Sequence, residues 1–263
     1  MHTKDSLKND LKTMGLNGTD ALMVHSSMKS IGAVDGGADT VVDAFMEYFE
    51  NGLFMTPTHT WAQMGPDYSV YDPSTEPACV GIIPNIFLKR PGVVRSLHPT
   101  HSIAAYGKTA ADYIKGEENC TTPCSPGGCW DRLRDIHAKI LLIGVTHGRN
   151  TFIHSIDEAL GIKDRLTDSP TLMHIVMPDG SQKAVNMYRH YNRFLGSGSF
   201  SDCFDKMAQA FYDLGAAKKV TFGDADCILC DAAKIFEVCK LLFSIDERCV
   251  VEMEQIPENW WKK

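Results

Sequence analysis

The sequence predicts an α/β layered fold in one domain spanning residues 1–263, with long inserted loops. Three observations predict it. The first sixty residues alternate helix, strand, helix, strand. The run KILLIGV at 139–145 has the unbroken apolar character of a strand buried on both faces. No repeat or low-complexity linker divides the 263 residues, and 44% of them are hydrophobic, enough for one large core.

The elements follow in order. KDSLKNDLKTMG (4–15) places Leu7, Leu11 and Met14 at helical spacing, with Gly15 as a stop. ALMVH (21–25) reads as a buried strand. From Gly37 to Phe49, Val41, Val42, Phe45 and Phe49 mark one helical face. GLFMTPTHTW (52–61) is a strand ending in a proline turn. Residues 62–130 are rich in proline and glycine and read as a loop-rich insert of irregular connections, the kind of segment that carries function. After KILLIGV, NTFIHSIDEALGI is a helix with Asn150 or Thr151 as N-cap. TLMHIVMPDGSQKAVNMY (171–188) is a β-hairpin turning at Asp179-Gly180. CFDKMAQAFYDLG and DAAKIFEVCKLLF are helices.

Composition excludes several classes. The net charge is −7 with no Lys/Arg block, which disfavours nucleic acid and anionic membranes and suits a neutral or cationic small partner. No window holds ~18 consecutive apolar residues. MHTKDSLKNDLK lacks the apolar core of an export signal, so a cytoplasmic protein is expected. Nine cysteines read as free thiols in a reducing compartment. Cys227 and Cys230 have C-x-x-C spacing without a second pair, and Cys120, Cys124 and Cys129 share one loop. A zinc site normally takes four placed ligands, so no metal is expected.

Polar residues gather where strands hand over to loops. His25, Ser26 and Ser27 end the first strand, as a polar turn or as a pocket floor. His98 and His101 lie in RSLHPTHS; His147 follows KILLIGV, and His154 sits in the helix beyond it. Ligands of open α/β sheets collect beyond the carboxyl ends of strands. The chemistry that suits these positions is general acid–base work by one histidine tuned by a carboxylate. G-x-S-x-G, Walker A and G-x-G-x-x-G motifs are absent. His147 and His154 form an H-x6-H pair with no acidic residue between them at metalloprotease spacing.

The segments VHSSMKSIGAVDGGADTVVDAF, MTPTHTW, YDPSTEPACVGIIPNIF, PGVVRSLHPTHSIAAYG, CSPGGCWDRL and ILLIGVTHGRNTFIHSIDEAL occur in an order that resembles the aminoglycoside 3-N-acetyltransferases, over roughly residues 5–245. The resemblance implies an α/β/α layered domain with a central mixed sheet, distinct from the GNAT fold. It implies acetyl transfer from acetyl-CoA to the 3-amino group of the 2-deoxystreptamine ring of an aminoglycoside, a small cationic amine, without a metal. His154 is then the general base. A carboxylate after the hairpin orients it, with Asp202 the candidate and Asp205 the alternative. His25, Ser26, Ser27, Met28, Lys29 and Ser30 form one wall of a CoA cradle, and Ser96, His98 and Ser102 the other. The turn after His25 supplies N–H donors to the oxyanion. Asp67, Asp72, Glu76, Asn85 and His147 face the acceptor. Three departures bear on that acceptor. Asn85 stands where glutamate is common in the family, Leu88 where arginine is, and Gly148 where aspartate is frequent. An acetyltransferase of a different amine therefore stays open, as does a His/Cys metal-dependent hydrolase.

Overall fold

The computed structural model describes residues 1–191 and 200–262. The chain opens with α1 (Lys4–Thr13), started by a reciprocal capping pair between Thr3 and Ser6. It continues through β1 (Ala21–Ser26), a 3-10 turn at Met28–Ile31, α2 (Gly37–Tyr48) and β2 (Leu53–Pro57). Next come β3 (Val70–Tyr71), α3 (Ile82–Phe87), β4 (Val94–Arg95), β5 (Ile103–Gly107), α4 (Ala110–Tyr113) and α5 (Cys129–Asp135). Then follow β6 (Lys139–Ile143), α6 (Phe152–Ala159), β7 (Thr171–Val176) and β8 (Gln182–Met187). A 3-10 helix at Phe200–Met207 leads into α7 (Ala208–Asp213), β9 (Ala217–Phe222), β10 (Ala225–Asp231), α8 (Ala232–Ile245) and α9 (Cys249–Glu252).

Seven strands form a mixed sheet in the order β4-β5-β2-β1-β6-β10-β9. β1 lies parallel to both β2 and β6, and the remaining pairs are antiparallel. Side chains alternate across this sheet, as the pleat requires. Leu22, Val24, Phe54, Leu141 and Ile143 face one apolar layer with Leu7 and Leu11 of α1 and Val41, Val42 and Phe45 of α2. Met23, Met55, Ile140 and Leu142 face the opposite layer, against α5, α6, α7 and α8. The three-layer α/β/α arrangement with a mixed central sheet is as expected. A small second sheet, β3-β7-β8, packs on its own cluster of Met64, Tyr71, Met173, Ile175, Val185 and Met187.

Three elements depart from the sequence reading. Residues 62–130 are not wholly irregular, because β4 and β5 extend the main sheet beyond β2. Their sequences, VR and IAAYG, are too short and too alanine-rich to show a strand period. The terminal helices are separated by β9 and β10, which the sequence reading missed. Cys227 and Cys230 lie on β10 three residues apart and therefore on opposite faces, one in each apolar layer. They cannot share a ligand, and all nine cysteines are free thiols.

The register places Ser26 at the end of β1 opposite Ile143 at the end of β6. Both strands therefore release their chains at one level. Gly144 makes this possible: its φ is +60°, and a Cβ there would collide with the Ser30 side chain. Gly144→Ala is expected to lower stability by about 2–4 kcal/mol, combining left-handed strain with overpacking. Denaturant unfolding checks it. Adding Ser30→Gly should recover the overpacking share, and a single variant as stable as the parent would overturn the close approach.

Candidate active site

A cavity of about 550 Å³ opens beyond the carboxyl ends of β1, β2 and β6, large enough for a drug-sized ligand. β1 delivers Val24, His25 and Ser26; the exit of β2 delivers Pro57, His59 and Trp61; the exit of β6 delivers Val145, Gly148, Arg149 and Thr151. Thr100, His101, Arg189, His190 and Ser201 close further walls, and His154 reaches in from the first turn of α6.

Five of the ten histidines line this cavity, and four of them form a chain of ring contacts. The His154 ring stacks on His190 at 3.9 Å between centroids, and His190 meets His101 at 5.2 Å. His101 meets His59 at 4.6 Å, and His59 lies flat against Trp130 at 5.4 Å. Trp130 is the keystone beneath them: it is buried and donates Nε1–H to the His101 carbonyl at 2.9 Å. Burial holds all five imidazoles below their usual pKa, His25 and His190 down to about 3. For His154 the next causes are His190 and Arg165. These rings are neutral at pH 7.

Two carboxyl groups stand behind the His154–His190 stack. Asp157, one turn further along α6, brings Oδ2 to 4.0 Å from His154 Nδ1. It is buried, and neither of its oxygens accepts a hydrogen bond. Arg165 Nε approaches to 3.6 Å, yet burial still pushes the Asp157 pKa up to about 7. Glu158 accepts from Cys124 N at 2.9 Å and from Thr122 Oγ1, and it pairs with His190 Nε2 at 3.0 Å. Burial raises it to about 7 as well. Cys124, Glu158 and His190 are close enough to hold a cation among the described residues, but these contacts already occupy Glu158.

Among the described residues the carboxylate within 4.0 Å of His154 is Asp157, where Asp202 was the expectation. Asp202 is exposed on the 3-10 helix after the hairpin. Asp205 instead accepts from Thr146 Oγ1 at 2.7 Å and His147 N at 2.9 Å, anchoring the turn after β6. Asp157 was within reach of sequence reasoning, since i and i+3 share a helix face.

Of the expected cradle, His25 and Ser26 line the cavity. Ser27 N–H is already taken by the Ile143 carbonyl, so it is no oxyanion donor, and Ser30 Oγ donates to Ser27 Oγ at 2.9 Å. Met28 packs on the α1–α2 layer and Lys29 is exposed. The second wall braces the cavity from behind. Ser96 Oγ accepts from Ile103 N, and Ser102 Oγ donates to the Thr58 carbonyl at 2.8 Å. His98 Nδ1 accepts from Thr100 N and His101 N while Nε2–H donates to the Thr122 carbonyl, which fixes its tautomer and holds His101.

None of the acidic loop residues lines the cavity. Asp67 is exposed, Asp72 holds a turn through Ser74, and Glu76 is buried between Gln63 and Tyr68. Asn85 clamps Ala78 and Gly81, shaping the wall at Cys79 and Val80. His147 is buried against Phe211, with both ring nitrogens unpartnered and its pKa lowered to about 4 by burial. The sequence reading missed His59, Trp61, Arg149, Arg189 and His190.

Comparison with known proteins places these features in a family. The sequence model described as aminoglycoside 3-N-acetyltransferase matches residues 23–244. Aminoglycoside N(3)-acetyltransferase IX of Micromonospora chalcea is 25% identical over 262 residues, covering 89% of this chain and 90% of that protein. Among solved structures, AAC-IIIb in a binary complex with CoASH superposes with a TM-score of 0.78 at 21% identity, covering 92% of this chain and 97% of that one. AAC-VIa bound to sisomicin superposes with a TM-score of 0.75 at 23% identity, covering 90% and 95%.

The buried imidazoles make stability pH-dependent. Below pH ~6.5 the unfolded chain takes up protons that the folded histidines refuse, so their contribution is present above pH ~6.5 and is lost as pH falls toward 3–4. Asp157 and Glu158, raised to about 7, act in the opposite sense. Five lining histidines and His147 outnumber these two. The thermal midpoint should therefore drop on acidification from pH 7 to pH 5, as read by calorimetry; a flat or rising midpoint would contradict neutral burial.

Proposed function

This chain belongs to the aminoglycoside 3-N-acetyltransferase family, and we propose that it transfers acetyl from acetyl-CoA to the 3-amino group of the 2-deoxystreptamine ring of an aminoglycoside. The observation that carries the site assignment is His154, neutral and buried at the cavity wall on the first turn of α6, with Asp157 behind it. Relatives support the co-substrate and the acceptor class: one was solved with CoASH and another with sisomicin.

The amine nitrogen attacks the thioester carbonyl, forming the C–N bond, while His154 takes the proton that the nitrogen sheds. As the tetrahedral intermediate collapses, the C–S bond breaks and the imidazolium returns its proton to the departing thiolate. Charging His154 draws in Asp157: the 4.0 Å gap is too long for a hydrogen bond to the neutral ring and closes on an imidazolium. Asp157 is a positioning residue that also stabilises the transient charge. His190 and Glu158 keep the ring plane of His154 in place through the 3.9 Å stack. Rigid placement matters because a small displacement of the base costs rate steeply.

A reducing cytosol is the compartment we assign, on the nine free thiols. Among the described residues, no helix is long and apolar enough to cross a membrane. A second reading of the acceptor, an amine outside the aminoglycosides, is favoured by one observation: no acidic side chain lines the cavity among the described residues.

His154→Ala should lower kcat by about 10²–10⁴-fold while CoA binding and thermal stability persist. Thiol release from acetyl-CoA measures the first and calorimetry the second. Near-normal turnover in a folded variant would remove His154 from the role. Asp157→Asn should lose less and move the acidic limb of the pH–rate profile, because the imidazolium loses its counter-charge. A drop in rate with an unmoved profile would reduce Asp157 to packing.

A further inference from the structure

Arg165 is a buried guanidinium to which the proposed reaction gives no role. It is 3% exposed and does not line the cavity. Its Nε lies 3.6 Å from Asp157 Oδ2, and the same oxygen lies 4.0 Å from His154 Nδ1. One carboxylate oxygen thus stands between the imidazole and a fixed cation. Neither gap is a hydrogen bond: Arg165 Nε has no acceptor, and neither oxygen of Asp157 has a donor. The contact is one of charge.

The rest of the guanidinium is pinned. Nη2 donates to the Glu247 carbonyl at 3.1 Å, and Nη1 reaches the Lys163 carbonyl at 3.5 Å. Its face lies over the Phe200 ring at 3.7 Å, and Phe200 also flanks the His154 ring at 6.4 Å. The backbone is held as well. Asp164, the residue before it, has a left-handed φ of +61°, a conformation that aspartate tolerates at some cost. Leu166 bridges antiparallel to His190, and Tyr191 N donates to the Arg165 carbonyl at 2.9 Å. One stretch of paired backbone therefore carries both His190, stacked on His154, and Arg165, behind Asp157.

A buried carboxyl without hydrogen bonds takes up a proton rather than carry its charge, unless a cation stands by. Burial pushes Asp157 up to about 7, and Arg165 is the influence that opposes it. The other ionisable groups around the pair do not substitute for it. Glu158, on the same helix, adds like charge. Cys124, Cys239 and Cys249 face Asp157 from the loop before α5, from α8 and from α9, and burial holds each thiol uncharged. His190 faces His154 and is neutral, while Asp164 and Glu247 act on Arg165 itself. None of these supplies a positive charge. With a protonated Asp157, an imidazolium at His154 would lack its counter-charge. With that proton on the ring instead, His154 would have no place for the proton of the amine.

We infer that Arg165 is a positioning residue of the transfer reaction: its pinned guanidinium holds Asp157 as a carboxylate beside a neutral His154, so that the pair stands empty of protons when the amine arrives. The inference rests on the acetyltransferase reading, in which His154 takes the proton shed by the amine.

Arg165→Gln and Arg165→Lys are compared with the parent by thiol release from acetyl-CoA across pH, with kanamycin as acceptor. Arg165→Gln should move the acidic limb of the kcat profile upward by about one pH unit or more, the effect of removing one nearby opposite charge. The lost rate should return as pH rises, and the KM of each substrate should stay near that of the parent, because Arg165 lies outside the cavity. Arg165→Lys keeps the charge and should bring the limb back toward the parent position. A loss of rate that is uniform across pH, or a lysine variant shifted as far as the glutamine variant, would reduce Arg165 to packing and overturn the inference. Difference infrared spectroscopy reads the carboxyl directly and needs no turnover. At pH ~8, above the value of about 7 for Asp157, the parent should lack a protonated-carboxyl band that Asp157→Asn removes. Arg165→Gln should show that band, and Arg165→Gln with Asp157→Asn should lose it. Its presence in the parent would overturn the inference by itself, whether or not Arg165→Gln folds. If no amine releases thiol in the parent but the band behaves as expected, the transferase reading has failed and the hold of Arg165 on Asp157 stands.

Discussion

The parallel pairing of β1 and β6 is the constraint on which the rest of the site depends. Val24, His25 and Ser26 stand opposite Leu141, Leu142 and Ile143, so both strands end at one level. The turn after β1 and the turn after β6 then pack against each other at Gly144 and Ser30. One consequence is a cavity floored by β1. Another is the path of the chain after β6, which crosses the cavity rim at Gly148 and Arg149 before α6 begins. His154 inherits its place from that path. A register slip of one residue would send His25 to the opposite layer and withdraw the floor.

Burial does the chemical work next. A solvated imidazole titrates near neutrality and would be partly protonated when an amine arrives. Here the His154 ring is desolvated by His190 and Phe204 and is held neutral. Desolvation alone would make a poor base, because the imidazolium would be as costly as it is rare. In the proposed mechanism Asp157 offsets that cost. It is itself buried and raised to about 7, so its charge is most useful when a cation forms beside it. If His154 takes the proton as proposed, the pair responds only when the proton moves, which is preorganisation of the kind that stabilises a transition state more than a ground state.

The wall opposite is built from hydrogen bonds rather than apolar contacts. His98 satisfies backbone groups in the irregular path from β4 to β5, Ser96 caps the start of β5 at Ile103, Ser102 reaches across to the Thr58 carbonyl after β2, and Trp130 ties His101 to α5. Loops of this kind need such partners because their backbone groups are buried without a ladder to pair them. Residues that a resemblance places at the co-substrate can therefore serve the scaffold that aims the neighbouring side chain, as His98 does for His101.

The sequence alone determined what is local. Periodicity located α1, α2, the buried strands β1 and β6, the β7–β8 hairpin and the helix that carries His154, and the ordered motifs identified the family. Even Asp157 and Glu158 are legible, at three and four residues beyond His154 on the same helix. Only the tertiary structure decided what is non-local. β9 and β10 are told apart from helix by the pairing of β10 with β6 and of β9 with β10, which no window of residues displays. His59, His101 and His190 come from separate loops and meet because sheet register and the Trp130 contact bring those loops together. Their protonation is likewise a property of burial, since the same imidazole in water titrates near 6.5.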